Sequence, residues 1–213
     1  MMDRGRLEAF SDGVFAVAIT LLALNLTVKP PGNGTLAHLL AHQWPGYAAY
    51  LISFFTIGII WVNHHQLLSN IVVVTRTLLF LNLVLLLFVV LIPVVTGTVA
   101  DYLAEGGFDA KLAVAVYGIV LTGMSVGFAG IAEWSLGEGR TLVPVPPDRR
   151  WEARIRFMSG GLVYLVIVGI AFLSAPVALG LSGLVGVYYI FERTPALSTA
   201  AGPADDDAGE AGA

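Results

Sequence analysis

The chain has 213 residues, of which 57% are hydrophobic and 12% are charged, and its net charge is −4. Soluble domains carry roughly 25% charged residues, so this composition, with a mean hydropathy of +0.82, is typical of a membrane protein. The lack of cysteine excludes disulfides, thiolate metal sites and cysteine nucleophiles. No basic stretch suggests nucleic-acid binding, and acidic residues of the C-terminal segment account for the net charge.

Continuous apolar segments of about 20 residues predict membrane-spanning helices, because a barrel would show alternating residues. We therefore expect an all-α membrane protein with six transmembrane helices. These are Phe10–Val28, Trp44–Gln66, Leu78–Val99, Lys111–Ser135, Phe157–Ser174 and Val177–Phe191. Residues 1–193 then form one transmembrane domain. Residues 194–213 are rich in Ala, Gly, Pro and acidic side chains, and we expect a disordered cytoplasmic tail.

Proline and glycine positions predict local features of these helices. Pro93 is expected to kink the third helix. Small residues repeated on one helix face are typical of close helix packing. The fourth and sixth helices carry such residues at Gly123, Gly127, Gly180, Gly183 and Gly186.

The distribution of basic residues predicts the orientation. With six helices both termini lie on one side, and that side carries all nine arginines, while Lys29 and Lys111 lie on the other. The positive-inside rule therefore places both termini in the cytoplasm of a multi-pass cell-membrane protein. The loop 140–156 is the main basic cluster and is expected to face anionic lipid headgroups.

An apolar stripe runs along the first helix. At about 100° per residue, its members fall within about 60° of Val17. They are Phe10, Val14, Val17, Leu21, Leu24 and Val28. Thr20 lies at the edge of the stripe, whereas Ser11 and Asp12 point to opposite sides of it. In isolation, the stripe is compatible with contact to lipid or with the protein core.

Asp12 is the most unusual residue of this helix, since an ionisable group there is costly without a partner and indicates a functional site. A simpler alternative is that Ser11 or Asp12 caps the helix N-terminus. The second helix offers donors at Trp61, His64 and His65, at the same membrane depth. The indole N–H or a histidine can donate to Asp12.

Metal binding by the two histidines and a carboxylate is the other interpretation of this cluster. Adjacent histidines on a helix point about 100° apart, so they chelate poorly. The sequence offers no third ligand for such a site. We therefore expect a hydrogen-bonded cluster and no metal.

The start of the first helix matches a known motif. Arg6-x-x-x-Phe10-Ser11-Asp12, followed by Gly-Val-Phe-Ala-Val-Ala-Ile-Thr-Leu-Leu-Ala-Leu, resembles the RxxxFSD signature of the transmembrane protein 175 family of potassium channels. The Trp61-x-x-His64-His65 element also fits this family.

The resemblance implies a homotetramer in membrane lipid, in which the first helices line a central pore for monovalent cations. It places the pore constriction at Val17, Leu21 and Leu24 and a potassium-selecting hydroxyl at Thr20. The family usually has Ile or Leu at the position of Val17, which implies a wider constriction here. The hydrogen-bonded cluster that holds the pore helix would contain Arg6, Phe10, Ser11, Asp12, Trp61, His64 and His65.

The predicted function is a weakly selective, potassium-permeable leak channel that is not an enzyme and needs no cofactor. The chain lacks the TVGYG filter of ordinary potassium channels and an arginine-rich voltage sensor. The alternative is a proton-coupled small-molecule transporter that uses Asp12 with His64 or His65 as a relay. The sequence shows neither an inverted repeat nor a predicted helix broken by glycine, the features that are typical of such transporters.

Overall fold

The computed structural model describes residues 3–26 and 35–191, and this part of the chain is helical. The helices are α1 (Arg4–Ala23), α2 (Leu36–His42), α3 (Trp44–Ser69), α4 (Arg76–Tyr102), α5 (Gly107–Ser135), α6 (Arg150–Ala171) and α7 (Ala175–Phe191). A short 3-10 turn, Pro147–Arg149, precedes α6. Val28, Lys29 and the predicted tail 194–213 lie outside the described residues.

Every predicted segment contains a helix, but the first one has different ends. α1 begins at Arg4 because the Asp3 carboxylate accepts a hydrogen bond from the Gly5 N–H at 3.3 Å. The alternative that Ser11 or Asp12 caps the helix is therefore wrong, since both lie inside it. α1 ends at Ala23 instead of Val28.

Two further differences concern α2 and α6. The sequence did not predict α2, a seven-residue helix whose Thr35 side chain accepts a hydrogen bond from the His38 N–H at 3.4 Å. α6 begins at Arg150, ahead of the predicted start at Phe157, and ends at Ala171. Its first two turns are polar, so hydropathy alone does not reveal them.

Four of the described helices are long and apolar enough to cross a membrane: α3, α4, α5, and α6 together with the turn before it. α7 is apolar but shorter. α1 is not among the four because charged residues occupy its first half. These are Arg4, Arg6, Glu8 and Asp12.

α4 and α5 form the centre of the bundle. α4 packs against α1, α3 and α5, while α6 and α7 pack against α5. The buried side chains between them include Leu85, Ile92, Tyr117 and Met124. α4 continues through Pro93, whose carbonyl oxygen accepts a hydrogen bond from the Asn25 side chain at 2.7 Å. This bond ties the end of α1 to α4.

The glycines of α5 allow close approach to α4, as the sequence predicted. A Cβ on Gly127 would lie 2.9 Å from the Leu85 Cα, and one on Gly123 would overlap the Phe88 ring. In α7, the prediction is correct for Gly183, which approaches Ile52, and for Gly186, which contacts Thr56. It is wrong for Gly180, which faces open space.

Gly127→Ala is expected to destabilise the bundle by about 1–3 kcal/mol, because the added methyl group meets backbone that cannot rotate away. Thermal unfolding in detergent measures the loss. Gly169→Ala is the matched control, since its Cβ meets nothing within 4 Å. An equal response of the two variants would contradict close packing at Gly127.

Candidate functional site

α1 has one buried and one exposed face. The buried face packs against α3 and α4, and it consists of Leu7, Ser11, Phe15, Ala18 and Leu22. The exposed face includes most of the predicted stripe. Its exposed fractions are 54% for Phe10, 55% for Val17, 41% for Leu21 and 68% for Leu24. These four side chains therefore do not belong to the core, whereas Val14 of the same stripe packs partly against it.

Thr20 also lies on the exposed face. Its hydroxyl donates a hydrogen bond to the Val17 carbonyl oxygen at 2.8 Å. This bond uses the only proton of the hydroxyl and orients the oxygen. The two lone pairs of the Thr20 oxygen remain available to a cation or to water on the exposed side of α1.

Asp12 has a partner on α3. The Trp61 indole N–H donates to the Asp12 carboxylate at 2.8 Å, and both side chains lie at the edge of the bundle. Trp61 was one of the two kinds of donor that the sequence left open. The His65 ring lies beside the indole, with 6.2 Å between ring centroids. The hydrogen bond between Trp61 and Asp12 links one side of α1 to α3.

A second polar connection is buried on the opposite shoulder of α1. The Ser11 hydroxyl donates to the Leu7 carbonyl oxygen at 2.9 Å and accepts from the Asn82 Nδ2 at 3.0 Å. Asn82 Oδ1 in turn pairs with His64 Nε2 at 2.7 Å. The exposed fractions of Ser11, Asn82 and His64 are 0%, 1% and 1%. His64 therefore bonds to Asn82 and not to Asp12.

Sequence reasoning missed Asn82, which joins α1, α3 and α4. The signal was present, because Asn82 is a carboxamide within a leucine-rich helix of membrane length. Polar side chains in such helices usually hydrogen-bond to neighbouring helices. The Phe15 ring covers His64, with 5.3 Å between ring centroids.

The structure does not bring every predicted cluster residue together. Arg6 is exposed, and its side chain makes no hydrogen bond or ion pair within the described part of the chain. Phe10 faces outwards on the apolar stripe. Arg4 instead tethers α1, since its guanidinium donates to the Ser69 carbonyl oxygen at 2.9 Å. The reason is the rotation of α1, which turns Arg4 towards the end of α3.

The histidines point in different directions, as adjacent helical residues must. His64 is buried against α4, while His65 is exposed beside Trp61. Within the described ranges, no three His, Asp or Glu side chains group together as metal ligands. Arg4, Ser11 and Asp12 thus connect α1 to α3 and α4 through hydrogen bonds.

Trp61→Phe is expected to lower the free energy of unfolding by roughly 1–2 kcal/mol, because it removes a hydrogen bond to a carboxylate and keeps the aromatic packing. Thermal unfolding in detergent measures the change. Trp44→Phe is the control, since Trp44 lies on the same helix, is 56% exposed, and has no indole hydrogen bond to the described residues. A Trp61→Phe variant as stable as the control would contradict an anchoring role.

Apolar helices of membrane length, packed around buried polar contacts, define a multi-pass membrane protein. The family model described as "Endosomal/lysosomal potassium channel TMEM175" matches residues 6–93, from α1 into α4. A potassium channel of Streptomyces collinus is 46% identical over 200 residues, covering 92% of this chain and 95% of that protein. The chain therefore belongs to the TMEM175 family, whose members are ion channels and not enzymes.

A solved structure and a vertebrate protein extend the comparison. The crystal structure of a lysosomal potassium-selective channel TMEM175 homolog from Chamaesiphon minutus matches with a TM-score of 0.76 at 30% identity. The match covers 88% of this chain and 96% of that chain. The endosomal/lysosomal proton channel TMEM175 of Homo sapiens is 37% identical over 97 residues, which are 41% of this chain and 19% of that protein.

Proposed function

We propose that this protein is a potassium-permeable channel of the cell membrane. In this proposal it is a homotetramer with six membrane-crossing helices per subunit, and α1 of each subunit lines a central pore. The observation that carries the proposal is the exposed stripe of Val17, Leu21 and Leu24 on a helix whose opposite face is buried. One helix cannot enclose a pore, so rotational symmetry must close it.

The stripe supplies a hydrophobic constriction. Rings of Val17, Leu21 and Leu24 make a narrow apolar neck that water and ions enter reluctantly, which keeps conductance low. Thr20 adds a ring of hydroxyl oxygens within this neck, and the hydrogen bond to Val17 supports this role by orienting each oxygen. Potassium loses its hydration shell more easily than sodium, so the expected selectivity is weak and the conductance leak-like.

The polar contacts hold α1 at one rotation. The Trp61–Asp12 bond lies on one side of α1 and the Ser11–Asn82 bond on the other. Together they resist rotation of the helix in either direction, which would carry the stripe away from the pore axis. We infer that Asp12 positions α1 and does not lie in the ion path.

The arginine-rich ends of the helices support cytoplasmic termini. Arg4, Arg76 and the segment 140–156 lie at the end of the bundle where α3 finishes, since Arg4 bonds to Ser69 and Thr141 of this segment pairs with Ile71. The positive-inside rule assigns this end to the cytoplasm.

The names of the relatives support potassium as the conducted ion. The Streptomyces collinus relative and the Chamaesiphon minutus structure cover 92% and 88% of this chain, and both are named for potassium. The human relative, named a proton channel, matches 41% of it. Proton permeation is the second candidate, and the same vesicles test it.

Ion flux into liposomes tests the proposal. Vesicles that contain the purified protein should take up potassium faster than empty vesicles, as measured with ion-sensitive dyes. Their uptake of sodium should be slower than that of potassium, and their uptake of protons should be the slowest. Thr20→Val should reduce the potassium-to-sodium ratio. Mild crosslinking in detergent should give products up to the size of a tetramer and none larger. Potassium uptake equal to that of empty vesicles, or a strictly monomeric protein, would overturn the channel.

The transporter alternative predicts a different result in the same assay. A pH gradient should drive solute uptake, and Asp12→Asn should abolish it. Under the channel proposal, Asp12→Asn keeps an acceptor for the Trp61 indole. Potassium flux should therefore persist in that variant.

A further inference from the structure

A cavity of about 370 Å³ lies where the ends of α3, α5 and α6 meet the segment 141–146. This volume falls within the range of ~300–1,000 Å³ that is typical of small-molecule sites. The inner wall is mostly apolar and includes Ile60, Leu67, Phe128, Phe157 and Tyr164, with the Asn63 carboxamide among them. The cavity opens at the same end of the bundle as the N-terminus of α1 and has no role in the proposed pore.

Backbone and side-chain hydrogen bonds hold the outer wall of this cavity in place. The Asn70 carboxamide accepts from the Val143 N–H at 3.0 Å and donates to the Val143 carbonyl oxygen at 3.2 Å. The Leu142 N–H donates to the Asn70 carbonyl oxygen at 2.8 Å. Pro144 and Pro146 restrict the backbone further. A wall that is already ordered reduces the entropy cost of binding a ligand.

The outer part of the cavity is positively charged. Arg149 and Arg156 line it together with one carboxylate, Glu152. Arg149 is exposed and Arg156 is half-buried. Two guanidinium groups against one carboxylate favour an anion, and the planar guanidinium is suited to phosphate oxygens.

A buried hydroxyl lies deeper in the same cavity. Ser125 is 9% exposed, lines the cavity, and makes no side-chain hydrogen bond to the described residues. Gly160 borders it, because a Cβ there would lie 3.8 Å from the Ser125 Oγ and 2.9 Å from the Tyr189 hydroxyl oxygen. This hydroxyl lines the cavity and can donate a hydrogen bond to a ligand oxygen there.

We propose that this cavity binds one anionic membrane phospholipid. Its phosphate contacts Arg149 and Arg156, an ester carbonyl oxygen accepts from Ser125, and an acyl chain lies along the apolar wall. The order of these groups, from charge through hydroxyl to apolar surface, matches the order of groups along a phospholipid. Basic pockets between membrane helices are suited to such headgroups. A free phosphate would use only the charged part.

Thermal unfolding of the full chain in neutral detergent tests this site. Phosphatidylglycerol should raise the unfolding temperature by about 4 °C at saturation. Phosphatidylcholine and inorganic phosphate should leave it unchanged. The double variant Arg149→Gln/Arg156→Gln should lose most of this rise. Arg154→Gln should keep it, because Arg154 lies on the same helix but pairs with Glu133 outside the cavity lining.

A second variant tests the acyl-chain part of the site separately from the arginines. Ser125→Leu fills the apolar part and should also lose the response to phosphatidylglycerol, measured against its own lipid-free protein. Equal shifts with phosphatidylglycerol and phosphatidylcholine would overturn the proposal. Loss of the shift in Arg154→Gln, or its retention in the double variant or in Ser125→Leu, would also do so. A phosphate shift equal to that of the lipid would assign a free-anion site instead. These readouts do not depend on potassium flux.

Discussion

Asn82→Leu is expected to lower the unfolding temperature in detergent by about 5 °C. The leucine leaves the His64 Nε2 without a partner at 1% exposure and removes the bond to Ser11. An unsatisfied buried polar group costs roughly 1–3 kcal/mol. Thermal unfolding of the purified protein measures the change.

The double variant His64→Leu/Asn82→Leu is the sharper control. It removes the orphaned donor, and replacing both partners of a buried hydrogen bond with apolar groups is nearly neutral in many proteins. The double variant should therefore be more stable than Asn82→Leu alone. Additive losses from the two changes would show that the residues do not interact energetically.

Leu21→Asn is expected to raise potassium flux into liposomes at least several-fold, the largest functional effect that the pore proposal predicts. Leu21 is 41% exposed on α1, and four copies would form one ring of the proposed constriction. A carboxamide at each position holds water in the neck and lowers the cost of ion entry. Because the neck becomes wetter, selectivity should fall as flux rises.

Leu165→Asn is the matched control for this experiment. Leu165 is an exposed leucine of α6, at 56%, outside the proposed pore. Its replacement should leave potassium flux unchanged in protein that assembles normally. If both variants change flux alike, the stripe of α1 is not the constriction.

The apolar segments predicted the helices well, because the preference of a run of Leu, Val and Ile for membrane is a local property. The sequence also predicted the close approach of α5 to α4, since Gly123 and Gly127 lie one helical turn apart. Helix ends were less accurate. α1 begins at Arg4 because a single Asp3 side chain caps it, and hydropathy does not detect a cap.

The hydrogen-bond partners of the polar residues were also predicted only in part. Trp61 could be named as a donor to Asp12 because both lie at the same depth in neighbouring helices. His64 was expected beside Asp12 but bonds to Asn82 instead. Arg6 was expected in the cluster, yet the tether to α3 comes from Arg4. Each of these depends on how far one helix is rotated against the next.

The sequence by itself determined the membrane class, the approximate positions of the six predicted helices, and the apolar stripe that starts at Phe10. These follow from composition and period, which each segment carries alone. Only the tertiary structure decided which face of α1 is buried and that Asn82, 71 residues from Ser11, joins three helices. The physical reason is that a buried polar group takes whichever partner the packing of the helices brings within about 3 Å.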